Sequence, residues 1–92
     1  DLTFLRSTGL GSNGNWAAAI TSRYKLILSK NDDPWLIDMK TDPNEKINFI
    51  NEKGKAEIVS YLALKLSKYG EKHTDPFLQD TKMAADLKAL IQ

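Results

Sequence analysis

The chain has no cysteine, which removes disulfides, thiolate metal sites and thiol nucleophiles from the chemistry available within these residues. A cysteine-free segment is at home in either redox setting, so the absence fixes no compartment. One-sided charge is missing too. Lys and Arg number 13 against 12 Asp and Glu, a formal net charge of +1, with no long run of either sign. Phosphate backbones and anionic membranes are gripped by clustered cations, so this balanced scatter argues against nucleic acid and against a membrane as partner. No apolar run is long enough to cross a bilayer, no basic-then-apolar leader is seen, and Asp1 stands where an initiator Met would. The expectation is a segment of a longer protein. At 92 residues the chain makes one domain that buries only roughly 60% of its unfolded surface, a marginal size that a larger neighbour would help. Low-complexity tracts and internal repeats are also absent.

What is present is organised around residues 35–49. Trp35, Ile37 and Met39 alternate with Leu36 and Asp38, the pattern of a short half-buried strand. The strand runs into Asp42-Pro43-Asn44-Glu45, where an N-cap aspartate, a proline suited to the first helical position and an acid three residues after the cap predict the start of a helix. Glu45 to Asn51 is expected to form a helical turn or two, with Ile47, Phe49 and Ile50 pointing inward and Asn48 holding the corner.

These residues resemble the C-terminal segment of the type I, formylglycine-dependent sulfatases. There a strand reading roughly Leu-Tyr-Asp-Leu leads to Asp-Pro-x-Glu-x-x-Asn-Leu. The counterparts here are Leu36-Ile37-Asp38-Met39, Asp42-Pro43-Asn44-Glu45 and Asn48-Phe49. Upstream, Arg23-Tyr24-Lys25-Leu26-Ile27 resembles the Arg-Tyr-Lys-Leu-Ile strand that precedes the motif in that family. Ile37 replaces the usual aromatic and Phe49 the usual Leu, changes that keep burial. The resemblance runs from about Trp16 to the end of the first long helix and makes Asp38, Asp42, Pro43, Glu45 and Asn48 structural motif residues.

In chain order, Leu2 to Leu5 reads as a short strand. Ser7 to Asn15 is rich in Gly, Ser and Asn and reads as a loop. Within it Gly9-Leu10-Gly11-Ser12-Asn13-Gly14 satisfies a dinucleotide-type pattern. A cofactor site needs a helix opening on the glycines, and the segment after them, Trp16 to Ile20, is too short for that and runs into a turn and a clear strand. On the sulfatase resemblance the loop could line an active-site mouth, with Arg6, Asn13, Asn15 and Trp16 as substrate-binding candidates. A guanidinium forks onto a sulfonate, an amide donates to hydroxyls, and an indole stacks on a sugar. The competing reading is a solvated hairpin loop without ligand.

Trp16 to Thr21, Arg23 to Ser29 and Trp35 to Met39 read as antiparallel strands. Asp32 and Asp33 sit in the turn between the last two, where adjacent acids normally bond local amides rather than a hard cation. Lys55 to Tyr69 is the firmest helix, with Ile58, Leu62, Leu66 and Tyr69 on one side, and Gly70 is expected to end it. Tyr61 and Leu64 widen its apolar surface and suggest a second partner, such as a catalytic domain. The sole histidine, His73, lies in a connection and supplies neither nucleophile nor ligand set by itself. Asp80 is expected to cap a last helix, Thr81 to Ile91, striped by Met83, Leu87, Leu90 and Ile91.

The fold expected is α+β: a small antiparallel sheet of three or four strands covered by a long helix, plus a C-terminal helix. The family resemblance implies a parent that hydrolyses sulfate esters or sulfamates, with a sulfated carbohydrate as substrate, in the periplasm or outside the cell. Its formylglycine arises from a Cys/Ser-x-Pro-x-Arg signature and works beside calcium. Pro34, Pro43 and Pro76 all lack the neighbours of that signature, so catalytic residues, metal ligands and cofactors are expected in a catalytic domain elsewhere in the polypeptide and none here. Two other classes stay open: a stand-alone interaction module, and part of a phosphoryl-transfer enzyme of the wider alkaline-phosphatase superfamily.

Overall fold

The computed structural model describes residues 2–7, 16–29, 32–73 and 81–91. Four strands come first, β1 (Thr3–Ser7), β2 (Trp16–Ile20), β3 (Tyr24–Ser29) and β4 (Trp35–Asp38), and two helices complete the order, α1 (Ala56–Lys72) and α2 (Thr81–Leu90). The strands pair antiparallel in sequence order, which makes a four-stranded meander. The α+β expectation holds, and β1 reaches further than Leu5 because pairing carries it to Ser7 opposite Trp16. Among the described residues no helix is long and apolar enough to cross a membrane.

Period-two alternation assigns the sheet's two faces. Ala17, Ala19, Leu26, Leu28 and Leu36 share one face and are all fully buried. Val59, Leu62, Ala63 and Leu66 of α1 and Met83 and Leu87 of α2 close over them to form the core. Alanine is a poor strand former by propensity, but a methyl group at 17 and 19 leaves room for α1 to lie close on β2, and packing wins over propensity. Phe4 extends this face at the β1 end, where its ring stacks on Tyr69 at 4.4 Å between centroids.

Four expectations fail. Gly70 does not end α1; it is buried within the last turn, and the helix runs on to Lys72. It stops at His73, whose N–H still bonds the Tyr69 carbonyl at 3.1 Å. A glycine read as a terminator is here a packing residue, and the two uses look alike in sequence.

No helix starts at Pro43. Glu45 has φ of 55°, and a left-handed residue stops a right-handed helix from propagating. The Asp42 carboxylate accepts the amides of Lys46 at 2.9 Å and Ile47 at 2.8 Å, two residues beyond the amides an N-cap would reach. The result is an irregular strap running from β4 to α1. Ile47, expected inside, is consequently 53% exposed, while Phe49 and Ile50 do pack against the core.

β4 is also more buried than a half-buried strand: Leu36, Ile37 and Asp38 are covered on both faces of the sheet. The strap contributes to this, since Asn48 and Phe49 bond Leu36 along the outer edge of β4 and Glu45 reaches Lys25, the register partner of Ile37. Asp80, the expected cap of α2, lies outside the described residues.

Candidate functional site

The chemistry-bearing side chains gather at the corner where the β2–β3 turn meets the end of β4. Thr21 sets the turn: its hydroxyl accepts the amides of Arg23 at 3.2 Å and Tyr24 at 2.9 Å. Such a side-chain-closed turn is a common use of threonine, and it delivers the Arg23 guanidinium to Asp38. Arg23 donates from Nε to Oδ1 at 3.0 Å and from Nη2 to Oδ2 at 2.9 Å, the bidentate fork that a carboxylate fits best. Asp38 is 1% exposed, and its Oδ1 also accepts the amides of Lys40 at 3.1 Å and Thr41 at 3.4 Å. Lys55, at the start of α1, brings its ammonium to 3.6 Å from Oδ2. The same ammonium donates to the Tyr24 hydroxyl at 3.3 Å and stands over the Tyr24 ring.

The electrostatic consequence is one-directional. The Arg23 fork, helped by the Lys40 and Thr41 amides, holds the Asp38 carboxyl well below the usual carboxylate range against the opposing effect of burial. Arg23 is pushed up by the same bond, and Lys55 is pushed up chiefly by its bond to Tyr24. A carboxylate kept ionised at every working pH, with its lone pairs taken by cations and amides, is a poor proton shuttle. It is a good lock between the sheet, the strap and α1.

The rest of the strap is fixed in the same manner. Asn48 Oδ1 accepts the amides of Leu36 and Ile50, both at 3.0 Å, and its Nδ2 donates to the Pro34 carbonyl at 3.1 Å. With the Phe49 N–H bonded to the Leu36 carbonyl at 2.8 Å, this side chain stands in for a neighbouring strand and closes the outer edge of β4. Glu45 reaches across to Lys25 at 3.0 Å. Pro43 is exposed at the bend.

Thus Arg23 and Lys25, from one sequence segment, pair with Asp38 and Glu45 from the other. Neither partnership has a local signal, because the contacts span 15 and 20 residues. Arg23, Tyr24 and Lys55 were therefore missed as members of the corner. Lys82 was missed too: it pairs with Asp86 at 2.6 Å and donates to the Ser29 carbonyl at 3.0 Å, tying α2 to the sheet. Its i,i+4 spacing was the available signal.

Of the substrate-binding candidates, only Trp16 can be placed in full. It is half-buried at the start of β2, on the face turned away from the helices. Arg6 lies in β1 opposite Ala17, with its side chain outside the described residues, and Asn13 and Asn15 lie outside them altogether, as do the loop glycines. The element after that loop is the strand β2, not the helix N-terminus a dinucleotide phosphate would meet. Asp32 accepts the amide of Asp33 at 2.8 Å. Among the described residues no group of three or more His, Cys, Asp or Glu is placed to hold a metal ion.

The face away from the helices is the second feature of note. Leu5, Trp16, Ala18, Ile20, Lys25 and Ile27 line a hollow of about 370 Å³ on it. Its lining is apolar except for Lys25 and a flanking serine, and nothing among the described residues covers it.

The four-stranded meander with helices on one face is the fold of a small subdomain found within sulfatase structures. No family model and no curated protein matches the sequence; the likeness is one of structure. One similar chain is BT4656, solved in complex with its substrate D-glucosamine-2-N,6-O-disulfate, at a TM-score of 0.70 and 22% identity over 80% of this chain. Another is yidJ from Bacteroides fragilis, which carries a sulfatase assignment, at a TM-score of 0.70 and 21% identity over 88% of this chain. This chain spans only 16% and 18% of the length of those two proteins.

Proposed function

We propose that this chain is the C-terminal subdomain of a formylglycine-dependent sulfatase whose remaining residues carry the catalytic domain, and that the whole polypeptide hydrolyses sulfate esters of carbohydrates. One observation carries the reading. The two segments that resemble the family in sequence interlock in space, Arg23 with Asp38 and Lys25 with Glu45, within a fold shared with sulfatase structures. A chance match of two short motifs would have no reason to put the matched charges in contact.

In this reading the subdomain is scaffold and cleft wall. Its motif acids are committed to structure: Asp38 to Arg23, Asp42 to strap amides, Glu45 to Lys25. The described residues do not fit a calcium site, because their carboxylates point at cations or amides of this chain rather than converging. Formylglycine and calcium belong to the catalytic domain, and no step of the hydrolysis is assigned to residues described here. The disulfated glucosamine bound by one neighbour favours a sulfated sugar as substrate, with Trp16 the placed side chain best suited to meet a sugar face. A periplasmic or secreted parent accompanies the reading.

The full-length gene product tests it. A Cys/Ser-x-Pro-x-Arg signature upstream and calcium-dependent hydrolysis of an aryl sulfate are expected, while residues 1–92 alone should give no turnover. A full-length chain without the signature, or turnover by the segment alone, refutes the assignment.

A further inference from the structure

Lys82 breaks two local rules. It is the second residue of α2, whose first turn holds no acid, so its positive charge stands at the end where the helix dipole disfavours a cation. Its i,i+4 pairing with Asp86 runs from base to acid, the weaker direction for such a pair. A partly exposed pair of that kind contributes little by itself. The reason for a lysine here is tertiary. Its ammonium lies 3.0 Å from the Ser29 carbonyl at the end of β3, 2.5 Å from the Asp32 carbonyl and 2.6 Å from Asp86 Oδ2. The turn is held from within by other bonds: the Ser29 hydroxyl donates to the Asp32 carbonyl at 3.3 Å, and the Asp32 carboxylate accepts the Asp33 amide at 2.8 Å.

We propose that the Ser29 and Asp32 carbonyls and the Asp86 carboxylate form a binding site for a primary ammonium, that the Lys82 head group is its tethered occupant, and that α2 is held on the sheet through that occupant. The donor set fixes the ligand class. An ammonium carries three N–H donors and no acceptor, and three oxygens from three separate residues meet it here. One carboxylate balances one positive charge, and three oxygens fall short of the roughly six to eight that calcium takes. A guanidinium offers its donors in a planar fork rather than a tripod, so it matches the site poorly. The consequence for the fold follows from length. α2 has 10 residues, too few to persist as a helix alone, and Met83, next to Lys82, is fully buried in the core. The occupant of the site therefore decides how firmly the start of α2 lies on β3. The site shares no residue with the Asp38 corner and does not depend on the sulfatase reading.

Hydrogen exchange of the α2 amides in the full-length gene product tests the proposal. Lys82→Ala deletes the outer methylenes and the head group, which together have the shape of propylammonium. Exchange in α2 is expected to quicken at least about tenfold, as the loss of a charged hydrogen-bonding group implies, and added propylammonium should restore the parent rate. Tetramethylammonium, which has the charge without N–H donors, and 1-propanol, which has the stem without the charge, should not. Restoration by either of these, or by none of the three, overturns the proposal, and a global rise in exchange that propylammonium fails to reverse counts against it in the same way. Lys82→Met keeps the stem. Parent-like protection in that variant would mean that the methylenes rather than the ammonium hold α2, and would also overturn the assignment. Lys82→Arg keeps the charge and loses the tripod, so its α2 amides are expected to exchange nearly as fast as those of Lys82→Ala. Full protection by arginine would show that charge alone suffices and that no ammonium site is built there.

Discussion

The two faces of the sheet are built from the same strands by simple alternation, and they are finished in different ways. The helix side is closed by apolar packing, with Leu26, Leu28, Leu36, Leu62 and Met83 all at 0% exposure. The far side is closed only at its β4 end, and there by hydrogen bonds and ion pairs of the strap. From β3 to β1 it is left apolar and open. The difference teaches where stability resides in so small a domain: the packed face holds the fold together, while the far face, among the described residues, is left uncovered from β3 to β1.

Breaking the closed face should have the largest effect. Leu26→Ala removes a fully buried side chain between β2, β4 and the helices, and such truncations cost about 2–5 kcal/mol. Denaturant unfolding of the variant against the parent measures it, and a cost below about 1 kcal/mol would mean that the site collapses to fill the void.

Next comes the corner. Asp38→Ala deletes the acceptor of the Arg23 fork and of two strap amides. Removing one partner of a buried pair costs about 3 kcal/mol, here moderated because Arg23 is 40% exposed and can be rehydrated. The pH dependence carries a sign. The folded pKa of Asp38 lies below its unfolded value, so the folded state holds fewer protons there. The stabilisation is full above the unfolded carboxylate range near pH 4, and it is lost as pH falls through that range toward the folded value. Urea midpoints are expected to be level between pH 7 and 5 and to drop below about 4, and Asp38→Ala should flatten that drop. A drop of equal size in the variant would assign the acid sensitivity to other carboxylates.

How far these regions could be read beforehand depends on the range of the interactions. Strands and helices were legible because residues two apart, or three and four apart, report on one another, and the burial of Leu26, Leu62 and Met83 comes from that periodicity. The strap was misread as helical because Asp42-Pro43-x-Glu45 carries every local mark of a helix start. What defeats it is non-local: Lys25 draws Glu45 away from the Asp42 amide, and that amide is already bonded to the Asp38 carbonyl at 2.8 Å. Gly70 was misread for the same reason, since only the packed fold distinguishes a buried glycine from a terminating one. The corner itself was half legible. Asp38 and Asn48 were singled out by the family resemblance, but no pattern in the sequence names Arg23 and Lys55 as the cations that meet Asp38.

A smaller effect is expected at Asp42. Its carboxylate is 8% exposed and holds two strap amides, and losing a capping acceptor of this kind costs about 1 kcal/mol. In the full-length sulfatase proposed above, Asp42→Ala should lower the melting temperature and leave kcat intact. A collapse of kcat in a protein that still folds would move Asp42 from scaffold into chemistry.

The smallest expected effect is also the one that bears most directly on the contrast between the faces. Glu45 pays for its left-handed backbone and gains a partly exposed ion pair with Lys25. Glu45→Asn relieves the first, because asparagine tolerates that conformation, and removes the second, worth about 0–1 kcal/mol at a surface. The two changes offset, so unfolding of the 92-residue chain should shift by less than about 0.5 kcal/mol. Denaturant unfolding of the variant against the parent measures it, and a loss above about 1 kcal/mol would mean that the Lys25–Glu45 pair contributes more than a partly exposed ion pair does.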